Sequence, residues 1–292
     1  MYDVIWHAQE TDRGYYNCTH MMNELFDAHN CDHFGFKNIP ENLNDGGAIV
    51  VVHGGREPGA IDRLNRDIER LKWVLLVFLG DEEGSFPIEL VEHENKCVWI
   101  QEPRYPERHD GADRYIIDGY PHYCSRRARP RIEKDLDWVF AGQVTHVRRH
   151  ACANALRSMD WGGVVVESKG YCQGVSIGEY YRLLERAYLV PCPSGPLSPD
   201  AARPWEALEC DAIPILDNLS PVREGPDFWP LVLGEHPLPT ISDWSTLPGL
   251  LKELRARYEE LWPVCEQWWK KYKADFMTWL PADVRKLQEN AR

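Results

Sequence analysis

Arg186-Ala-Tyr-Leu-Val-Pro-Cys-Pro-Ser-Gly-Pro-Leu-Ser-Pro-Asp-Ala-Ala-Arg-Pro-Trp-Glu-Ala-Leu-Glu-Cys-Asp-Ala-Ile-Pro-Ile-Leu-Asp-Asn218 parses as strand, turn, helix, strand. Ala187 to Val190 is short, apolar and bounded by Pro191, which suits a buried parallel strand. Pro191 to Pro199 is turn chemistry throughout. Ser198 or Asp200 can cap a helix running to about Cys210. Ala212 to Leu216 reads as the next strand, ended by Asp217-Asn218.

A helix N-terminus above strand ends aims free N–H groups and a positive dipole end at whatever binds there. Ser194 and Gly195 allow close backbone approach to an anion. Arg203, in the first helical turn, can fork onto phosphate oxygens. Glu206, three residues on, shares its face and can accept hydrogen bonds from a ribose diol. The set describes a nucleoside-diphosphate pocket. The same spacing also suits an ordinary βαβ unit with a surface Arg–Glu pair.

The run Leu-x-Pro-x-x-Ser-Gly, then Arg-x-x-Glu-Ala, then Ile-Pro-Ile-Leu resembles the donor-binding half of exostosin-like glycosyltransferases. The resemblance implies a GT-B fold: two Rossmann-like domains with parallel sheets facing across a cleft, and C-terminal helices crossing back. It spans about 30 residues, and Phe140 to Arg149 extends it more weakly. Two positions depart from the family pattern: Ala201 stands where a serine is frequent, and Pro204 follows the arginine. Proline is tolerated only in a first helical turn, so the helix should start close to 200–203.

Around this core the chain alternates. Tyr2 to Trp6, Ala48 to Val52, Trp73 to Leu79 and Val98 to Ile100 read as strands, with helices at about 15–28 and 60–70. Such alternation gives an open parallel sheet, whose ligands sit at the carboxyl ends of its strands. Pro121 to Pro130 reads as a linker. Trp138 to Ala141, Val164 to Glu167 and a short run near Leu231 to Leu233 are further strands. Helices follow at 151–159, 176–186, 244–261, 262–280 and 282–290, with Pro263 and Pro281 marking breaks. The expected domains are 1–124 on the acceptor side, 125–262 for the nucleotide-sugar, and 263–292 as helices returning to the first domain.

Phe140-Ala-Gly-Gln-Val-Thr-His-Val-Arg-Arg149 is the second chemistry-bearing stretch. Gly142 after a strand permits close approach to phosphate, and Arg148 or Arg149 opens a helix. The resemblance places this loop on the diphosphate side of the site. There, Arg148, Arg149 and Arg203 would take the place of a metal against the leaving diphosphate. A plain βα turn with surface arginines has the same pattern.

Glycosyl transfer with inversion needs a base for the acceptor hydroxyl. Asp81 and Glu82 after the third strand are preferred; Glu83, His53, His7 and Glu10 are the other candidates, His53 as a binder or positioner. Each also fits a solvated turn. Cys18, His20, His29, Cys31 and His33 are close in sequence, but their spacing matches no standard zinc site. Trp262, Trp268 and Trp269 suit packing better than a sugar platform.

Composition bounds the rest. The chain has 292 residues, 43% hydrophobic, and a net charge of −13. Residues 1–124 hold 11 Lys/Arg against 23 Asp/Glu, a balance of −12; residues 125–150 hold seven against three, +4. A basic strip in an acidic protein suggests a localised anionic ligand, or a solvated linker. Nine scattered cysteines and no apolar run approaching the roughly 20 residues of a membrane span point to a reduced, cytoplasmic protein without membrane insertion.

The function implied is metal-independent transfer of a sugar from a nucleotide-sugar, UDP-linked first, to a hydroxyl acceptor, with no cofactor beyond that co-substrate. The acceptor is a glycan or, as for some compact viral GT-B enzymes, a hydroxymethylated pyrimidine in DNA, with the basic strip on the phosphates. A non-catalytic nucleotide- or glycan-binding module is the competing class.

Overall fold

The computed structural model describes residues 2–7, 20–35, 43–53, 59–80, 88–101, 111–121, 124, 132–170, 173–222 and 227–292, with the backbone alone for His7 and His53. The chain divides into two compact units, residues 1–118 with 272–292, and residues 119–271.

The first unit runs β1 (Asp3–His7), α1 (His20–Ala28), β2 (Asp32–Gly35), β3 (Ala48–His53), α2 (Ala60–Ile68), β4 (Val74–Leu79), β5 (Lys96–Gln101) and β6 (Arg114–Ile116). All pairings are parallel, in the order β2-β1-β3-β4-β5-β6. Every residue of β4 is buried, the mark of a central strand covered on both faces. On one face Val50, Val52, Leu76, Phe78, Val98 and Ile100 pack with Leu64 and Ile68 of α2. The edge strands β2 and β6 had no signal in the sequence. They are short and only partly covered, so Asp-His-Phe-Gly and Arg-Tyr-Ile carry no apolar run.

The second unit runs β7 (Leu136–Gln143), α3 (Val147–Arg157), β8 (Gly163–Ser168), α4 (Ile177–Arg186), β9 (Ala187–Cys192), α5 (Ala202–Glu209), β10 (Ile213–Asp217), α6 (Phe228–Leu233), β11 (Thr240–Ile241) and α7 (Leu247–Ala256). Its sheet is parallel, in the order β11-β10-β9-β7-β8. Both units therefore have the doubly wound form of Rossmann-like domains, the fold class of GT-B proteins. Pro191 lies inside β9, opposite Ile215. The pairing of β9 with β7 extends only to Leu189, so the missing N–H falls where the strand has one neighbour.

Two expectations are overturned. Leu231 to Leu233 is helical: Pro230 fits an early turn of α6, and Trp229 is buried with its Nε1 donating to the Asp217 carbonyl at 2.8 Å. The C-terminal segments are one helix, α8 (Tyr258–Asn290), which continues through Pro263 and Pro281. Pro281 lacks the N–H that would bond the carbonyl four residues back, at Met277. His29 Nε2 donates to that carbonyl instead, at 2.8 Å. Residues up to 271 of α8 belong to the second unit and the rest to the first. In the first unit Asp283 accepts both arms of the Arg114 guanidinium, at 2.6 and 2.9 Å, and Trp99 Nε1 at 2.9 Å. In the second, Trp269 stacks on Trp205 with ring centroids 5.5 Å apart and donates to Glu209 at 2.7 Å. Trp269 is thus a packing residue.

Candidate active site

In the second sheet β7 is followed by β8 on one side and β9 pairs on the other. The strand order reverses between β7 and β9, the place where open α/β sheets bind ligands. Two loops meet there, 144–146 before α3 and 193–201 before α5.

Asp217, the last residue of β10, organises both. Its carboxylate is fully buried and accepts from Trp244 Nε1 at 3.0 Å, from the Ser194 amide at 3.2 Å and from the Leu219 amide at 3.2 Å. Arg148 closes on it through both Nε, at 3.1 Å, and Nη2. Arg148 Nη2 also donates to the Ser242 carbonyl at 2.9 Å. Arg148 thus spends Nε and Nη2 inside the protein, tying α3 to β10. Arg149 Nε and His146 Nε2 both donate to the Ser194 carbonyl, at 3.0 and 3.1 Å. The Ser194 backbone is engaged at both its amide and its carbonyl, so what it can offer a ligand is its hydroxyl, which is buried and unpartnered. Gly195 is buried, and its Cα faces the Ser198 and Asp200 carbonyls, so the glycine serves the folding of its own loop.

Arg203 is different. It lies in the first turn of α5, with its guanidinium 5.0 Å over the Phe140 ring. Its Nη2 is so close to Gly142 that any Cβ at 142 would overlap it. Nε and Nη1 are shut off from solvent and have no hydrogen-bond partner. Buried donors left unpaired cost free energy, so a guanidinium held this way is poised for an anion. α5 begins at Ala202 without a side-chain cap, which leaves its first N–H groups for other partners. The expected caps do something else. Asp200 Oδ1 accepts from Trp205 Nε1 at 2.9 Å and from the Ala201 amide at 2.8 Å, and Ser198 Oγ accepts from the Asp200 amide.

Glu206 was expected to meet a ribose diol. Its carboxylate is buried, and each oxygen already accepts a tyrosine hydroxyl: Tyr180 on Oε2 and Tyr181 on Oε1, both at 2.6 Å. Burial raises its pKa, against the opposing pull of the two hydroxyls and of Arg203. The sequence reading missed both tyrosines. The signal was available: adjacent tyrosines beginning the second turn of a helix that leads directly into the motif.

The basic strip is largely structural where it is described. Lys134 Nζ donates to the carbonyls of Glu185, Ala187 and Cys210, at 2.9, 2.7 and 3.1 Å, closing the carboxyl ends of α4 and α5. Arg126, Arg127, Arg129 and Arg131 lie outside the described residues.

In the first unit the order of strands reverses between β1 and β3, which end in His7 and His53. Asp81, Glu82, Glu83 and Glu10 lie outside the described residues. β4 leads to Gly80, whose amide donates to Gln101 at 2.9 Å. Of the Cys/His cluster, Cys18 is outside the description. His20 pairs with Glu24 at 3.4 Å, His29 serves Met277, and His33 Nδ1 accepts from Trp6 at 3.0 Å. Among the described residues no three His, Cys, Asp or Glu side chains are grouped to hold a metal, and no helix is long and apolar enough to cross a membrane. The seven described cysteines are free thiols; burial pushes Cys192, near Arg203, up to about 12.

No protein-family model matches the sequence, and no curated protein matches it. Solved structures do. The chain is similar to a DNA-modifying β-glucosyltransferase studied with and without uridine diphosphoglucose, at a TM-score of 0.52 and 11% identity, over 98% of this chain and 99% of that one. It is similar to an α1,3-fucosyltransferase at the same score and identity, over 99% and 90%. At this identity the likeness shows the fold alone: two Rossmann-like units with parallel sheets.

Proposed function

We propose that the protein is a glycosyltransferase that moves a sugar from a nucleotide-sugar, UDP-linked first, to a hydroxyl acceptor without a metal. The observation that carries this reading is Arg203: a guanidinium whose Nε and Nη1 are buried without partners, at the reversal point of a Rossmann-like sheet. As the bond from the anomeric carbon to the diphosphate oxygen breaks, the electron pair stays on that oxygen. A preset cation in a water-poor site stabilises that charge without reorganising. Ser194 Oγ and the open N-terminus of α5 add donors to the same anion. The likeness in fold to two glycosyltransferases and the exostosin-like motif at 189–216 both support the reading.

The acceptor oxygen attacks the anomeric carbon and loses its proton to a base. Asp81 and Glu82 after β4, and His53 at the end of β3, are proposed for that role from the first sheet, where ligands meet strand ends. Release of nucleoside diphosphate from UDP-sugars in the presence of a chelator tests the activity. Turnover unchanged by joint replacement of Asp81 and Glu82 would remove both as the base.

For the acceptor, a glycan hydroxyl is the first reading. A hydroxymethylated pyrimidine in DNA is the second, in line with a structural neighbour that modifies DNA. The two separate on salt, since binding to DNA weakens steeply as salt rises and binding to a neutral glycan does not.

A further inference from the structure

We propose that His146 determines specificity at this site: its Nδ1 accepts a hydrogen bond from a hydroxyl of the molecule held by Arg203. The inference rests on the donor-site reading above and goes beyond it in saying what, besides an anion, the ligand must present.

The partner of each ring nitrogen decides which one carries the proton. Nε2 lies 3.1 Å from the Ser194 carbonyl oxygen, which can only accept. Nε2 is therefore the N–H, and Nδ1 of the neutral ring presents a lone pair. That nitrogen is buried and has no partner. The ring stays neutral near pH 7. Burial, then Arg149, His150 and Arg148, all oppose a second proton, and the hydrogen bond to Ser194 only partly offsets them, so the pKa falls to about 4.

The two loops thus hold unpartnered groups of opposite kind. Arg203 Nε and Nη1 are donors, and His146 Nδ1 is an acceptor. Phosphate oxygens satisfy the first and offer nothing to the second. A ligand carrying an O–H beside its anionic group satisfies both. A nucleotide-sugar has two sources of such a hydroxyl, the ribose and the transferred sugar.

The test is calorimetric titration of inorganic pyrophosphate, UDP and UDP-glucose into wild type and His146→Phe at pH 7.5, in two buffers of different ionisation enthalpy. His146→Phe is expected to weaken UDP-glucose by about 5- to 10-fold, the size of one neutral hydrogen bond, and to leave pyrophosphate unchanged. UDP unchanged assigns the hydroxyl to the sugar; UDP weakened to the same degree assigns it to the ribose. Wild type is expected to take up no proton on binding, a readout that needs no variant. Equal weakening of all three ligands, no weakening of any, or uptake of about one proton per ligand would overturn the proposal. The last result would mean an imidazolium on phosphate. If wild type binds none of the three, the donor-site reading itself fails.

Discussion

The guanidinium of Arg203 and the Cα of Gly142 occupy adjoining space so tightly that a single methyl at 142 would overlap Nη2. A strand-end glycine and a helix-start arginine, 61 residues apart in the chain, thus define one spot. With Phe140 beneath the guanidinium, little room remains for it to retreat.

Gly142→Ala should therefore displace Arg203 and weaken nucleoside-diphosphate binding by at least about 10-fold, the equivalent of one charge-assisted hydrogen bond. Titration calorimetry with circular dichroism as the fold control measures this. Unchanged affinity would mean that Arg203 adjusts at no cost.

Arg148→Ala should behave otherwise. It leaves the buried Asp217 carboxylate without its ion-pair partner, and breaking such a pair costs about 3 kcal/mol. The amides of Ser194 and Leu219 and the Trp244 indole remain to hold the carboxylate. The loss should appear in the urea midpoint; any effect on ligand affinity would follow from the loosened loop.

Tyr181→Phe removes one of the two hydroxyls on Glu206 and leaves Oε1 buried without that donor, a destabilisation of about 1–3 kcal/mol. Urea denaturation of this variant beside Tyr180→Phe compares the two bonds. No destabilisation in either variant would show that Glu206 is not held as a carboxylate by this clamp.

His146 gives the acid side of the stability curve a defined window. Its pKa is about 4 in the folded chain against a usual 6.5, so between those values the unfolded chain binds a proton that the folded chain refuses. The favourable contribution is complete above 6.5 and is lost as pH falls towards 4. Wild type should lose stability relative to His146→Phe between pH 7.5 and 5, measured by urea melts at both. A stability gap independent of pH would contradict the assignment of a neutral ring.

Much of the second unit was legible because its apolar runs are short, separate and punctuated. The runs from Ala187 and from Ala212 suit buried parallel strands, and Pro204 placed the helix start to within a turn. What the sequence hid depends on tertiary partners. Pro281 looks like a helix break until His29, 252 residues away in the chain, satisfies the carbonyl it orphans. Arg148, Arg149 and Arg203 are equivalent as letters. Only the position of Asp217 and of the Ser194 carbonyl separates two internal ties from one open guanidinium. Glu206 likewise reads as a ligand group until two tyrosines from the preceding helix are seen to fill it.

The most direct test of the account is thermal stabilisation by a panel of nucleoside diphosphates, with and without chelator, on wild type and Arg203→Ala. A ligand at 100 times its Kd stabilises the native state by about 2.7 kcal/mol, a readily visible shift. One diphosphate is expected to raise the melting temperature regardless of chelator, and Arg203→Ala is expected to abolish the shift while the unliganded protein melts no lower. A shift retained in Arg203→Ala, or none from any diphosphate, would contradict it.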